Sequence, residues 1–354
     1  MKQYYEFKPY NVARWVIWSL FALLLALAPL VFNSGLSITM LSQMGIAIIA
    51  CLSYNILLGQ GGMLSFGHAV YTGLGSFLAI HALNAAGQGS LPIPVSLVPL
   101  VGGLAGMGFA VLLGYVTTRK SGTTFAMITL GIGELVFAMS LMIPEFFGGE
   151  GGINANRVIG KPFMGISFGP PIQVYYLIAV YTFIAVAAMY AFTRTPLGRI
   201  LNAVRDNPER VEFIGYNTQK VRYLAFIIAG FFAGISGGLG ALNFEIVTAE
   251  VVGAARSGGY LLFTFLGGAT FFFGPIIGAV LMVLAFVLLS EFTKAWLLYL
   301  GLAFLLMVMY APGGIASLIM MNLRVARFGK LGGLAGPYAL LLVIFLPTLL
   351  SFVL

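Results

Sequence analysis

The feature that most constrains this chain is the recurrence of long apolar runs from near its start to its end. A helix needs about 20 apolar residues to cross roughly 30 Å of hydrocarbon, and only helices and closed barrels satisfy their backbone there. The runs fall at 14-32, 37-58, 63-85, 94-118, 122-147, 173-193, 223-246, 259-273, 275-290, 295-319 and 335-354. Composition agrees: 60% of the 354 residues are hydrophobic and 8% are charged, against roughly half and a quarter in soluble domains. The expected fold class is all-α, a polytopic integral membrane protein with about 9-11 transmembrane helices, some broken or re-entrant. Gly267, Gly268, Gly274 and Pro275 interrupt the pair 259-273 and 275-290, which reads either as two short crossings or as one hairpin entering from outside. A soluble enzyme and a nucleic-acid binder are excluded, because a net charge of +8 is too thin for an electrostatic footprint. A lone cysteine, Cys51, allows neither an intramolecular disulfide nor a cysteine metal cluster.

The run from Arg14 to Phe32 is read as the first span and not as a cleavable leader. It is too long, follows a polar tail and lacks a small-x-small cleavage site; Trp15 and Trp18 are its interfacial anchors. Lys and Arg concentrate on the cytoplasmic side of membrane proteins. Lys2, Lys8 and Arg14, then Arg119 and Lys120, then Arg194, Arg199, Arg205, Arg210, Lys220 and Arg222, then Arg324, Arg327 and Lys330 all share one face if 259-290 is a hairpin. The expected layout is a cytoplasmic tail 1-13, a transmembrane domain 14-320 with a hydrophilic loop at 194-222, and a segment 321-354. That last segment is a basic loop followed by an apolar stretch from Leu334 to Leu354. Localisation in the inner or plasma membrane, multi-pass with a cytoplasmic N-terminus, follows. The opposite face carries Arg157, Lys161, Arg256 and Lys294 against Glu145, Glu150, Glu245, Glu250 and Glu291, and a turn-rich loop at 148-172.

Two constellations carry chemistry. In the loop 194-222, Pro196 can open a helix, with Leu197, Ile200, Leu201, Val204 and Val211 near helical spacing. Asn207-Pro208 breaks it and starts a second short helix that Gly215 can end. Two exposed amphipathic helices rigid enough to transmit force are one reading; a solvated connector lying on headgroups is the other. The second constellation runs Gly59-Gln60-Gly61-Gly62-Met63-Leu64-Ser65-Phe66-Gly67-His68, then Gly73, Gly75 and Ser76. Glycines and small polar residues at membrane depth suggest a broken helix whose freed backbone groups face protein or a watery cavity, as at transporter substrate sites. The same residues also serve plain helix–helix contact. His68 and Glu134 are ionisable groups in or near hydrocarbon, each a substrate contact, a proton carrier or a buried structural hydrogen bond. His81 is read as an interface residue. The candidate substrate path is therefore Gly61, Gly62, Ser65, Gly67, His68, Thr129 and Glu134, with no metal site. No phosphate-binding loop occurs, since Gly160-Lys161 and Gly329-Lys330 are followed by Pro162 and Leu331. A His-Glu-x-x-His zinc site, a Gly-x-Ser-x-Gly elbow, a voltage-sensor helix and a Thr-Val-Gly-Tyr-Gly filter are missing too.

These residues resemble a known family. The run Gly59 to Ser76 is similar to the glycine-serine-glycine-histidine signature of branched-chain amino acid ABC transporter permeases, the M-type subunit of the Liv system, whose relatives include urea and amide importers. Gly122 to Leu130 ending in Gly133-Glu134, the external Gly148-Gly149-Glu150-Gly151-Gly152, and Thr195 to Arg199 through Arg205-Asp206, Glu212, Gly215 and Ala225-Phe226 resemble further blocks of that family. Leu266-Gly267-Gly268, Gly274 to Ala279 and Pro312-Gly313-Gly314 follow in order, so the resemblance covers roughly residues 40-318. It implies one half of a transmembrane pore. A homologous H-type permease would be the other half, two ATPase subunits would bind ATP and Mg, and an extracytoplasmic solute-binding protein would deliver substrate. The chain itself would carry no cofactor and be no enzyme. The resemblance assigns ATPase coupling to Pro196, Gly198, Arg199, Arg205, Asp206, Glu209, Glu212 and Gly215. The apolar stretch from Leu334 lies beyond the family pattern. Two rivals stand beside this reading: a secondary transporter in which Glu134 and His68 carry protons, and an intramembrane enzyme with His68 as general base.

Overall fold

The computed structural model describes residues 12–158, 166–292, 294–311 and 313–328. Most of the expected tail 1-13, Lys161, Lys330 and the apolar stretch 334-354 lie outside these described residues. The helices are α1 (Val12–Val31), α2 (Gly35–Asn55), α3 (His68–Gly87), α4 (Val98–Thr117), α5 (Gly122–Met142), the single turn α6 (Pro144–Phe147), α7 (Pro171–Arg194), α8 (Pro196–Asp206), α9 (Pro208–Phe213), α10 (Thr218–Phe244), α11 (Ala254–Gly267), α12 (Gly274–Leu284), the short α13 (Ser290–Phe292), α14 (Trp296–Tyr310) and α15 (Gly314–Arg327). A π turn, Ile56–Gln60, prolongs α2, and another, Ala285–Leu289, prolongs α12. Seven of these helices are long and apolar enough to cross a membrane, and α14 with α15, bent by 48°, makes an eighth among the described residues. The chain is an all-α polytopic membrane protein; its two short strands, β1 (Ile153–Asn154) and β2 (Ile246–Val247), pair antiparallel with Ile153 opposite Val247.

At the centre α10 packs on α4, α3 and α2, and glycine sets the spacing. A methyl group at Gly75 would stand 2.6 Å from the Cα of Gly234, and one at Gly102 would stand 2.7 Å from the Gly234 carbonyl. At Gly106 it would stand 2.8 Å from the same Gly234 Cα. Lipid offers no hydrophobic drive for helix association, so close van der Waals approach and side chain to backbone hydrogen bonds hold the block. Ser76 donates to the Gly237 carbonyl (2.9 Å) and Ser236 to that of Ile46 (2.9 Å).

Sequence runs and helices part company where proline or glycine intervenes. The run 63-85 becomes helical only at His68, and the run 122-147 breaks at Ile143, whose backbone leaves the helical region before Pro144. The run 259-290 is a hairpin: α11 and α12 lie antiparallel, with Gly278 against the Phe263 carbonyl and Gly267 against Gly274. Its tip, 268-273, seats Ala269 on Gly59 and Gly268 on Gly313 and Ala316. The hairpin therefore enters from the end of the bundle opposite α8 and reaches toward it.

Candidate translocation path and coupling surface

The polar break between α2 and α3 is held by side chains from α2 itself, α5 and α11. Beyond the π turn, the amides of Gly61, Gly62 and Met63 still donate back to the carbonyls of Leu57 and Leu58. The chain then leaves helical geometry until His68. The Phe66 amide donates to Thr129 Oγ1 (3.1 Å) on α5, Tyr54 Oη donates to the Ser65 carbonyl (3.0 Å), and the Ala69 amide donates to Ser257 Oγ (2.9 Å) on α11. A Cβ on Gly67 would collide with the Thr129 carbonyl, so glycine lets the break lie flat on α5. This is how irregular backbone survives at membrane depth.

His68 is fully buried. Its Nε2 lies 2.9 Å from Ser53 Oγ, and the hydroxyl of Ser53 donates to the Ala50 carbonyl (2.7 Å). Serine has one proton to give, so the imidazole Nε2–H donates to Ser53 and Nδ1 is the lone-pair nitrogen. Tyr54, Tyr71 and Tyr260 ring the imidazole at centroid distances of 5.2, 6.4 and 6.3 Å. Asn55 Oδ1, Ser65 Oγ and His68 Nδ1 are buried without a hydrogen-bond partner among the described residues, so three orphaned polar atoms gather at the break.

The loop 194-222 folds as two helices. Thr195 Oγ1 accepts from the Gly198 amide (3.2 Å) to cap α8, and Asn207 Oδ1 accepts from the Arg210 amide (3.0 Å) to cap α9. A side chain at Gly198 would strike the Phe192 carbonyl, so glycine allows the sharp fold of α8 under α7. Leu201, Val204 and Val211 are buried, while Arg199, Glu209, Arg210 and Glu212 face outward. Gly215, at φ +89°, follows the end of α9, and Thr218 Oγ1 donates to Glu212 Oε1 (2.8 Å). Phe213 and Ile214 are 88% and 70% exposed at this end.

α8 is fastened to the break. Arg205 donates through a guanidinium N–H to the Gly59 carbonyl, and Asn202 Nδ2 donates to Gln60 Oε1 (2.9 Å). Leu201 packs on Gly61, and the stem of Arg205 covers Gly62, whose φ of +64° and closeness to that stem both suit glycine. Arg205 also pairs with Asp206 (2.9 Å).

Glu134 lies elsewhere. It is exposed on the flank of α5 and lines a cavity of about 720 Å³ with Glu250, Arg256, Phe137, Phe286 and Thr248. Arg256 Nε donates to Tyr260 Oη (3.2 Å). At the same end Arg157 clamps Phe168 and Gly169 to the end of α10. Its guanidinium donates to the carbonyls of Phe168 (2.8 Å), Gly169, Leu242 and Asn243 (3.2 Å each) and lies 3.7 Å from Glu245 Oε2; its amide donates to Glu245 Oε1 (2.9 Å).

A sequence profile described as branched-chain amino acid transport system / permease component matches residues 36–311. The chain belongs to this family. The permease is 28% identical over 306 residues to the high-affinity branched-chain amino acid transport system permease protein LivM of Escherichia coli, covering 79% of this chain and 69% of that one. It is 28% identical over 320 residues to LivM of Salmonella typhimurium, covering 84% and 73%. It is also 29% identical over 127 residues to the guanosine ABC transporter permease protein NupQ of Bacillus subtilis, covering 34% and 38%. No solved structure matches.

In this permease the residues singled out from sequence occupy three places. Gly61 and Gly62 lie under α8; Ser65, Gly67, His68 and Thr129 build the break; Glu134 opens on the far cavity. His81 Nε2–H donates to the Phe146 carbonyl (2.8 Å), tying α3 to the turn α6. Sequence reasoning missed the fastening of Asn202 to Gln60 and the Arg157 clamp. Their only trace was composition: polar residues in a loop, and opposite charges tallied on one face.

Proposed function

We propose that this permease is one half of the pore of an ABC importer of branched-chain amino acids or a related small polar solute. A homologous H-type permease supplies the other half, two ATPase subunits dock on α8 and α9 and bind the ATP and Mg, and an extracytoplasmic solute-binding protein delivers the solute at the opposite end. The membrane is the inner or plasma membrane, and the N-terminus and loop 194-222 face the cytoplasm, where the basic residues gather.

One observation carries this reading: α8, amphipathic and followed by the exposed Phe213 and Ile214, is hydrogen-bonded to the break of α2 and α3. A force applied to α8 from outside the membrane reaches residues 59-62 directly, and through them the polar break and the hairpin tip at Ala269. A carrier needing no ATPase has no use for such a lever. The cavity at the other end fits the solute. Glu134 and Glu250 offer carboxylates to an ammonium, Arg256 offers a guanidinium to a carboxylate, and Phe137 and Phe286 offer apolar surface to a branched side chain. Charges exposed on the flank of a span do not face hydrocarbon, so the partner permease covers this cavity.

The test is purification of the tagged chain from its native membrane with mass spectrometry of what accompanies it. ATPase subunits and a second permease are expected, and Phe213→Asp should lose the ATPases while keeping the second permease. A chain that purifies alone and stable, or a Phe213→Asp variant that keeps its ATPases, refutes the assignment.

A further inference from the structure

A second groove lies on the outer side of the bundle, between α1, α7 and the hairpin tip. It has a volume of about 520 Å³, its walls include Trp18, Phe21, Tyr190, Phe272 and Ile276, and its mouth carries Arg14 and Arg194. α1 is the most exposed of the long helices, and it meets α7 through the edge of Trp18 on Phe183 and Tyr190 (5.8 and 5.6 Å). Tyr190 in turn meets Phe272 at 5.2 Å. Arg194 does not sweep freely: its Nη2 donates to Tyr190 Oη (2.9 Å), and its guanidinium stacks on that ring at 5.2 Å. Arg14 stands on the first turns of α1 and Arg194 on the last turn of α7, so both belong to the end of the bundle that bears α8.

We infer that this groove binds an anionic phospholipid, with its phosphate between Arg14 and Arg194 and an acyl chain along Trp18, Phe21 and Ile276. Charge complementarity selects the occupant. An apolar trough alone would accept any lipid tail, but two guanidiniums at its mouth favour a phosphate-bearing anionic headgroup, and arginine matches phosphate oxygens with paired N–H donors. Basic pockets between spans on the cytoplasmic side serve anionic headgroups in this way. The site also touches the moving parts of the proposed importer: Phe272 and Phe273 belong to the hairpin tip whose Ala269 rests on Gly59, the residue that Arg205 holds. A lipid seated here packs against the tip through Phe272 and Phe273. The leaflet, though not the site, rests on the orientation proposed above.

The experiment is native mass spectrometry of the tagged full chain, with whatever subunits co-purify, after delipidation and titration with phosphatidylglycerol or phosphatidylcholine. One phosphatidylglycerol per chain is expected to be retained in preference to phosphatidylcholine. Each guanidinium at the membrane surface contributes about 1 kcal/mol, so the Arg14→Gln/Arg194→Gln pair should weaken retention about thirtyfold. Ile276→Trp, which fills the trough and leaves both guanidiniums, should also displace the lipid, and it serves if the double variant does not assemble. Equal retention of the two lipids, unchanged retention in either variant, or displacement of the lipid by millimolar inorganic phosphate overturns the inference, the last by showing that the arginines take free phosphate alone. Lipid retention is scored separately from subunit recovery, so loss of the ATPases would count against the importer and not against this site.

Discussion

Two hydrogen bonds join α8 to the break, and removing them one at a time should give a phenotype that is not the sum of its parts. Arg205 to the Gly59 carbonyl is charge-assisted, a class contributing about 1.5–3 kcal/mol; the Arg205 side chain is 35% exposed, so water replaces part of the bond and the lower figure, about 1.5 kcal/mol, applies. Asn202 to Gln60 is neutral and contributes about 1 kcal/mol. With the packing around them taken as unchanged, the joint is closed by about 2.5 kcal/mol, an equilibrium constant of roughly 70, or about 99% closed. Asn202→Ala lowers the constant to about 13 and the closed fraction to about 93%; Arg205→Ala lowers it to about 5 and about 84%. The double variant brings it near 1 and about 50% closed, a loss more than twice the sum of the single losses. The assay is solute taken up per ATP hydrolysed in proteoliposomes holding the full complex. ATPase turnover is expected to persist in all three variants, and Arg205→Lys to restore most of the single loss. A double variant whose loss equals the sum of the two singles, or a single variant that abolishes uptake, would refute this account of the joint.

Three further outcomes follow from the geometry. Gly234→Leu places a side chain against the backbone of Gly102 and Gly103 with no flexible neighbour to yield, so it should cost more than the roughly 1–3 kcal/mol typical of overpacking and leave little assembled protein in size-exclusion chromatography. Arg157→Ala strips one guanidinium from four carbonyls and Glu245; a loss of about 2–3 kcal/mol should lower the thermal midpoint and open residues 153–158 to proteolysis, with α8 unaffected. Glu134→Gln should reduce solute uptake and leave the thermal midpoint unchanged, because Glu134 lines the open cavity; unaltered uptake would remove it from the path.

The membrane class and the family were legible in the sequence because both rest on local signals: apolar runs of fixed length, and short glycine-rich blocks in order. The starts of α8 and α9 were legible for the same reason, at Pro196 and at Asn207-Pro208; that Thr195 and Asn207 cap them is seen only in the fold. Contacts across long separations were not. Nothing in the spacing of Asn202 and Gln60, 142 residues apart, or of Arg157 and Glu245, 88 apart, announces that they meet. His68 shows a subtler gap: its type suggested a proton carrier or a general base, but only the three-dimensional position of Ser53 and the Ala50 carbonyl fixes its tautomer. Glu134 and His68, each read as a substrate contact, a proton carrier or a structural hydrogen bond, occupy different surroundings in the fold.

The Arg157 clamp and the β1–β2 pair bind Ile153, Asn154, Arg157, Phe168 and Gly169 to the last turn of α10 and the strand after it, at the end of the bundle remote from α8. These ties lie within one chain, so with the glycine-packed block of α3, α4 and α10 they stiffen that end against internal deformation. A displacement applied at α8 is then expected to be taken up along residues 59-62 and the hairpin tip, while the walls of the Glu134 cavity keep their shape.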